Sequence, residues 1–375
     1  MTVTQPYVTE EQLLCRIALT LIKGVGSVLA RQLLHFMGSP EAIFADRSEL
    51  ARKLPRASHR LIDAVFAPAV MERARRELEQ IRAKGLQTYF ITDENYPPLL
   101  KECVDAPILF YYKGNADLSP ARALSVVGTR NITAYGRSAT ERIIADLAHA
   151  IPDLLIVSGL AYGVDVTAHK AALAHGLPTV GVLAHGLDRI YPSSHRSVAT
   201  EMLAHGGLLT DYPTGTEPER FNFVGRNRIV AGLSHATLVI ESAAKGGSLI
   251  TAELASDYNR DVLALPGRAT DSRSAGCNTL IREQKAALVT SAEDILSFLS
   301  WSSTAEAQSQ TLAFEPDNWP DTPVAKLLLH AQSISVDELT RETGLSINDV
   351  SAQLFDMELD GLIRSLPGGM YTIQK

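Results

Sequence analysis

HATLVIESAAKGGSLITAELASDY, residues 235–258, decides how the chain is read. HATLVIE is a short apolar run rich in strand formers, and LITAELASDY reads as a helix. Between them lies Lys245, Gly246, Gly247 and Ser248. Glycines between a strand and a helix let the backbone approach an anion. Here Gly246 and Gly247 expose N–H groups at a helix N-terminus and Lys245 supplies charge. Ser248 can cap the helix or donate to an oxygen. The turn lacks the Gly-Lys-Ser/Thr ending of a P-loop and the spacing of a dinucleotide fingerprint, which argues against a nicotinamide cofactor. It reads as a phosphate site without machinery for hydrolysing phosphate.

The same alternation recurs on both sides of this stretch. TYFIT, PILFYY, ALSVVG, LLIVSG, PTVGVL, ATLVIE and DVLALPG alternate with amphipathic helices over residues 78–299. That pattern predicts an α/β fold with an extended Rossmann-like, mostly parallel sheet, and ligands beyond the carboxyl ends of its strands. Residues 1–77 carry helical periodicity on both sides of GVG, with a turn through Gly24 and Gly26 and Ser27 as N-cap. This resembles a helix–hairpin–helix unit of the sterile-alpha-motif-like (SAM-like) class. Such a turn can offer N–H groups to a DNA phosphate or simply pack on the next domain. Lys23 is the only positive charge near it, which favours packing. Residues 300–322 are polar, aperiodic and contain proline, as in a linker. Residues 323–375 show three helical patterns and a hairpin turning at Pro367, Gly368 and Gly369, which suggests a winged-helix domain. Its recognition helix, INDVSAQLFDMELD, has several acids and no lysine or arginine, so a protein-interaction role is expected.

Composition narrows the class. The 375 residues include 46% hydrophobic and 21% charged residues, ordinary for a globular protein. No apolar run is long enough to span a bilayer, and MTVTQPYVTEEQ lacks the regions of a signal peptide, so no membrane association and a cytoplasmic location are expected. Three isolated cysteines, Cys15, Cys103 and Cys277, and ten scattered histidines support neither disulfides nor a metal site. The net charge of −7 argues against coating nucleic acid non-specifically, but a locally basic cleft remains open.

Other strand exits add candidates. Arg130 stands where SVVGTR turns and can place a fixed charge at the sheet edge. Ser158 and Gly159 end the next strand, and Asp165 is placed to cap the helix that follows. His169 reads as a packed polar residue tying helix to sheet, while His185 and His195 lie in a loop that must accommodate a ligand. ERFNFVGRNRI, residues 219–229, interleaves Phe221 and Phe223 with Arg220, Arg226 and Arg228. Arginines take phosphates and rings stack on bases in single-stranded nucleic acid. Phe221 and Phe223 share strand parity with the apolar positions, so one of them is expected in the core.

SVVGTR, SGLAYGVDVTAH, GLDRIYP, NRIVAGLS, KGGSLITAELA and LPGRATDSRSAGCNTLI, in this order, resemble the DNA-processing protein A family (DprA, also called Smf). The resemblance covers nearly all of the middle domain. It implies a Rossmann-like protein that binds single-stranded DNA, protects incoming DNA during natural transformation and loads the RecA recombinase. It implies no enzyme activity, no cofactor and a homodimer. By motif match, its DNA-contacting residues fall on Arg130, on Arg226, Asn227 and Arg228, and on Lys245, Gly247 and Ser248. With Ser158, Gly159, Phe223 and Gly246 these make up the expected nucleic-acid site. Dimerisation is assigned to SAGCNTLIREQKAALVTSAEDIL, through Leu280, Ile281 and Leu288. The chain departs from the family pattern at Gly246, where serine is usual, and in YPSSHR and FVGRNRI. Arg196 or Arg220 could compensate for the lost basic residue. The rival class is an enzyme cleaving the N-glycosidic bond of nucleotide monophosphates, with Glu241 or Glu253 as its carboxylate, and a third reading is a pure scaffold.

Overall fold

A computed structural model describes residues 8–54, 58–301, 319–330, 333–366 and 369–373. The N-terminal residues 1–7, most of the expected linker (302–318), and Pro367 and Gly368 of the expected hairpin turn lie outside the described residues.

Six helices come first: α1 (Glu10–Thr20), α2 (Ser27–Met37), α3 (Pro40–Ala45), α4 (Arg47–Lys53), α5 (His59–Val65) and α6 (Pro68–Lys84). Thr9 and Gln12 form a capping box on α1, which fixes where that helix starts. The glycine turn after α1 forms as read, but Gly26 rather than Ser27 is the N-cap of α2. Helix α6 runs through the expected boundary at residue 77 and stops at the left-handed Gly85.

The sheet has nine strands: β1 (Gln87–Phe90), β2 (Leu109–Gly114), β3 (Ala123–Val127), β4 (Leu155–Ser158), β5 (Thr179–Val182), β6 (Gly206–Thr210), β7 (Ala236–Val239), β8 (Asp261–Ala264) and β9 (Ala287–Leu288). Their spatial order is β1-β2-β6-β5-β4-β3-β7-β8-β9. Pairing is antiparallel for β1–β2 and β2–β6 and parallel elsewhere, so the sheet is parallel-dominated as expected. The intervening helices are α7 (Pro98–Glu102), α8 (Ala134–Ala150), α9 (Val164–Ala174), α10 (Arg196–Met202), α11 (Arg220–Gly232), α12 (Gly247–Asp257), α13 (Ala275–Arg282) and α14 (Ala292–Phe298). Strands β3, β4 and β5 are buried along their whole length. That explains why they read as continuous apolar runs instead of alternating patterns.

Two strands escaped the pattern. β6 opens with Gly206 and Gly207, poor strand formers. A side chain at Gly207 would sit 2.4 Å from the Tyr112 ring, and the Tyr112 hydroxyl donates to the Gly206 carbonyl at 2.8 Å. β9 is only two residues long. The larger correction is ERFNFVGRNRI. It forms helix α11, so strand parity does not apply to its rings: Phe221 is 84% exposed and Phe223 is half-buried.

The helical region and the sheet share one apolar core, in which Ile17, Leu33 and Leu78 join Phe90, Phe110 and Val180. Polar ties reinforce it. Arg16 pairs with Asp93 at 3.0 Å. Glu77 on α6 is fully buried, and its carboxylate accepts from the Thr214 N–H at 2.9 Å and the Thr214 hydroxyl at 2.6 Å. Arg73 pairs with the same carboxylate at 3.5 Å and donates to the Thr214 carbonyl.

A second compact unit contains α15 (Pro323–His330), β10 (Ile334–Ser335), α16 (Val336–Thr343), α17 (Ile347–Leu359), β11 (Ile363–Leu366) and β12 (Met370–Ile373). Antiparallel β12 lies between β10 and β11, and Val324, Leu328, Leu339, Val350, Leu354 and Ile363 form the core. This is the expected winged helix.

Glu77→Ala removes three interactions from a buried, charge-assisted cluster. It is expected to lower stability by about 2–3 kcal/mol. The measurement is the urea midpoint of the variant against the parent, with the denaturant slope unchanged.

Candidate nucleic-acid interface

The chain leaves β3 towards β4 on one side and returns to β7 on the other. Loops at the carboxyl ends of these strands therefore diverge and open a crevice at the switch point. The crevice encloses about 770 Å³ and is lined by the β3 exit (Gly128 to Arg130), by Gly159 and Asp165, by one face of α11 and by residues 242 to 253 around the start of α12.

Helix α12 starts at Gly247 with Gly246 as N-cap, and no side chain caps it. The Gly246 N–H, expected to be exposed, donates to the Ala243 carbonyl at 3.0 Å, and the Leu249 N–H bonds back to the Gly246 carbonyl at 3.1 Å. The N–H groups of Gly247 and Ser248 have no preceding turn to bond to, so the end is electropositive. Lys245 beside it is exposed. The Ser248 hydroxyl is buried and donates to the Ser242 hydroxyl at 2.9 Å, so it serves the turn instead of capping the helix. A Cβ on Gly246 would meet the Ser242 oxygen at 2.2 Å. Ser242 thus fills the space that a serine at position 246 would need.

Across the crevice, exposed Arg130 lays its guanidinium over the Phe223 ring, 5.1 Å from the centroid. Tyr191 stands against the same ring at 5.9 Å. Among the described residues, neither Lys245, Arg130 nor Arg220 forms an ion pair. Arg220, Phe223, Val224 and Asn227 line the crevice together because they fall at i, i+3, i+4 and i+7 of α11. Tyr191 was not among the expected DNA-contacting residues. Arg220 was read with Arg226 and Arg228 as a phosphate-taking arginine, and the 3.6-residue period of α11 keeps it in the crevice.

The same period separates the expected arginine pair. Arg226 and Arg228 lie about 200° apart around the helix axis. Arg226 is buried in the crevice floor, where it donates to the carbonyls of Gly159, at 2.7 Å, and Val182. Among the described residues its Nε has no hydrogen-bond partner. Asp165 nearby does not cap its own helix. Its carboxylate accepts from the N–H groups of Gly159 at 3.1 Å and Ala161 at 3.3 Å. Burial pushes the Asp165 carboxyl up and Arg226 down, and their mutual attraction opposes both shifts. A Cβ at Gly159 would come within 2.5 Å of the Arg226 guanidinium, so glycine there is a packing requirement.

Arg228 faces away from the crevice. It is paired with Asp211, donates to the Asp105 carbonyl at 2.7 Å and lines a shallow depression with Gly26 and Ser27. Ser158 is fully buried, with its hydroxyl donating to the Val126 carbonyl at 2.6 Å. Of the expected set, the structure therefore brings Arg130, Gly159, Phe223, Arg226, Asn227, Lys245, Gly246, Gly247 and Ser248 to one crevice, and it leaves Ser158 and Arg228 out.

The candidate histidines and Glu241 are tied. His169 is buried against the Thr179 hydroxyl at 2.7 Å, and burial pushes its imidazole down to about 3, so it stays neutral. His185 and His195 bond the carbonyls of Gly186 and Leu160. The Glu241 carboxylate is buried at the start of α8, where it accepts from the Thr133 N–H at 2.9 Å and from the Thr133 hydroxyl. Glu253 is exposed on the crevice wall. No group of histidines, cysteines and carboxylates among the described residues is arranged to hold a metal. No helix among them is long and apolar enough to cross a membrane. At the proposed dimer surface, Leu280 and Ile281 pack partly into the core, while Leu288 on the edge strand β9 is 53% exposed.

Residues 87–300 match the family model described as DNA recombination-mediator protein A, and residues 321–369 match that of the DprA winged helix domain. Protein Smf of Synechocystis sp. is 32% identical over 384 residues, spanning 93% of this chain and 96% of that one. The X-ray structure of DNA processing protein A from Streptococcus pneumoniae aligns with a TM-score of 0.57 at 34% identity, over 73% of this chain and 98% of that chain. A structure of DNA processing protein A from Helicobacter pylori, described for its single-stranded DNA binding mode, aligns with a TM-score of 0.52 at 29% identity, over 57% of this chain and 95% of that chain. The chain belongs to the DprA (Smf) family of DNA-processing proteins.

Proposed function

We propose that this chain binds single-stranded DNA along the crevice, with a phosphate at the start of α12. One observation carries the reading: unpaired cations, Lys245 and Arg130, converge on an uncapped helix N-terminus beside an accessible aromatic ring. Phosphate oxygens would take the free N–H groups of the α12 turn and the Lys245 ammonium. Arg130 would hold a neighbouring phosphate, and Arg220 would extend the track along α11. Phe223, with Tyr191 at its side, supplies ring surface for a base. Arg226 acts indirectly, by holding the floor of the site.

Family membership supports a wider reading. We propose that the protein acts in the cytoplasm, protects incoming single strands during natural transformation and loads the RecA recombinase, without catalysis of its own. The nucleotide-cleaving alternative has lost one of its two carboxylates, because Glu241 is committed to the start of α8. A homodimer is supported by the apolar, exposed Leu288 on an edge strand, which offers unpaired backbone groups to a second copy.

Three phosphate contacts on a single strand give a salt slope of about −2. Lys245→Ala and Arg130→Ala are each expected to reduce that slope by roughly 0.7 and to weaken binding, with unchanged melting temperature. Phe223→Ala should weaken binding by about 1–3 kcal/mol and leave the slope alone. Fluorescence anisotropy with an oligothymidine at several salt concentrations measures all three. If both cation variants keep the parent's affinity and slope, the crevice is not the DNA site, and release of free base from nucleotide monophosphates becomes the assay to run.

Arg226→Ala gives a different signature. It opens the buried floor and leaves Asp165 without its partner, so it should cost about 3–5 kcal/mol in urea unfolding. An Arg226→Ala protein as stable as the parent would return this residue to the phosphate track. For the dimer, Leu288→Glu should convert a two-chain species to a monomer in light scattering while the melting temperature holds. A parent that is already monomeric at micromolar concentration refutes the dimer.

A further inference from the structure

Helix α17, in the recognition position of the winged helix, buries Val350, Leu354 and Met357 in its domain. Its outer face carries no basic residue, and large apolar side chains stand exposed on it. Ile347, Phe355 and Leu359 are 53%, 63% and 76% exposed. With Ser351 they make one slanted row at i, i+4 spacing, about 18 Å long. Exposed Asp356 and Asp360 border that row, and among the described residues neither has an ion-pair partner. Residues 347–360 contain no lysine or arginine. Three large apolar side chains on one exposed face of so small a domain mark an interaction surface.

The charge decides the occupant. A DNA backbone or an anionic lipid surface would meet uncompensated carboxylates. A second copy of this helix would bring two acidic rows together. A helix with apolar residues at i, i+3 or i+4 and i+7, flanked by lysine or arginine, satisfies both features of the face. We propose that the exposed face of α17 docks a basic amphipathic helix of a partner protein. This surface is separate from the DNA crevice in its residues and in its chemistry.

The test uses the full chain and a fluorescein-labelled synthetic peptide of about 18 residues with leucines on one helical face and lysines on the other. A matched peptide with glutamates in place of lysines is the control. The lysine peptide is expected to bind the parent, and Phe355→Ser with Leu359→Ser to weaken it roughly tenfold or more. Both side chains are exposed, so the fold should persist in circular dichroism. A second variant, Asp356→Lys with Asp360→Lys, should weaken the lysine peptide and admit the glutamate peptide. Lys245→Ala should leave peptide binding unchanged, which separates this surface from the crevice. The proposal fails if both α17 variants bind the lysine peptide as the parent does, or if the parent does not bind it. It also fails if the apolar variant instead loses binding to a mixed-sequence duplex, or loses self-association in sedimentation.

Discussion

A buried guanidinium holds the crevice together. Arg226 donates from Nη1 to two carbonyls at the ends of neighbouring strands, β4 and β5, with the Asp165 carboxylate nearby to balance its charge. Asp165 in turn clamps the N–H groups of the loop after β4. A charge taken out of water at this depth is costly unless it is bonded and balanced, so the geometry around it is tightly constrained. That constraint sets where α11 lies over the strand ends, and so where Arg220, Phe223 and Asn227 point. Gly159 belongs to the same arrangement, since any side chain there would displace the guanidinium.

The crevice therefore uses cations in two ways. Those bonded to the protein, Arg226 and Arg228, build it or its surroundings. Those with no ion-pair partner among the described residues, Lys245, Arg130 and Arg220, face the solvent and are available to a ligand. Exposed charges act in a high dielectric and are screened by salt, whereas the helix N-terminus they surround contributes oriented N–H groups at short range. An acidic protein with a net charge of −7 can in this way present a local site for a polyanion. The enzyme reading weakens for a related reason. Glu241 would have been a credible catalytic carboxylate by position, but it is tied to Thr133, the N-cap of α8.

The winged helix makes a complementary point. Its architecture is shared with many duplex readers, yet a recognition helix with exposed carboxylates and a bare apolar row has the wrong surface for phosphates. Fold and surface chemistry are separate quantities, and function follows the surface.

Much of this was legible in the sequence. The central strands announce themselves because burial on both faces demands continuous apolar runs, and the Lys-Gly-Gly-Ser turn because few other purposes require two glycines between a strand and a helix. The acidic recognition helix was equally plain, since charge is a property of composition. What local pattern could not supply was the period of residues 220–232. With Gly225 inside it and arginines and asparagines interrupting its apolar residues, that segment has weak amphipathicity, and read as a strand it placed Arg226 beside Arg228. Only the tertiary structure showed them on different faces, one buried under strand ends and one paired with Asp211. The same holds for Ser158, whose hydroxyl is consumed by a strand 32 residues earlier. Sequence by itself determined which residue types were available and which elements would carry them. The tertiary structure alone decided which charges were left unpaired, because a partner distant in the chain is invisible until the strands that bring it close have paired.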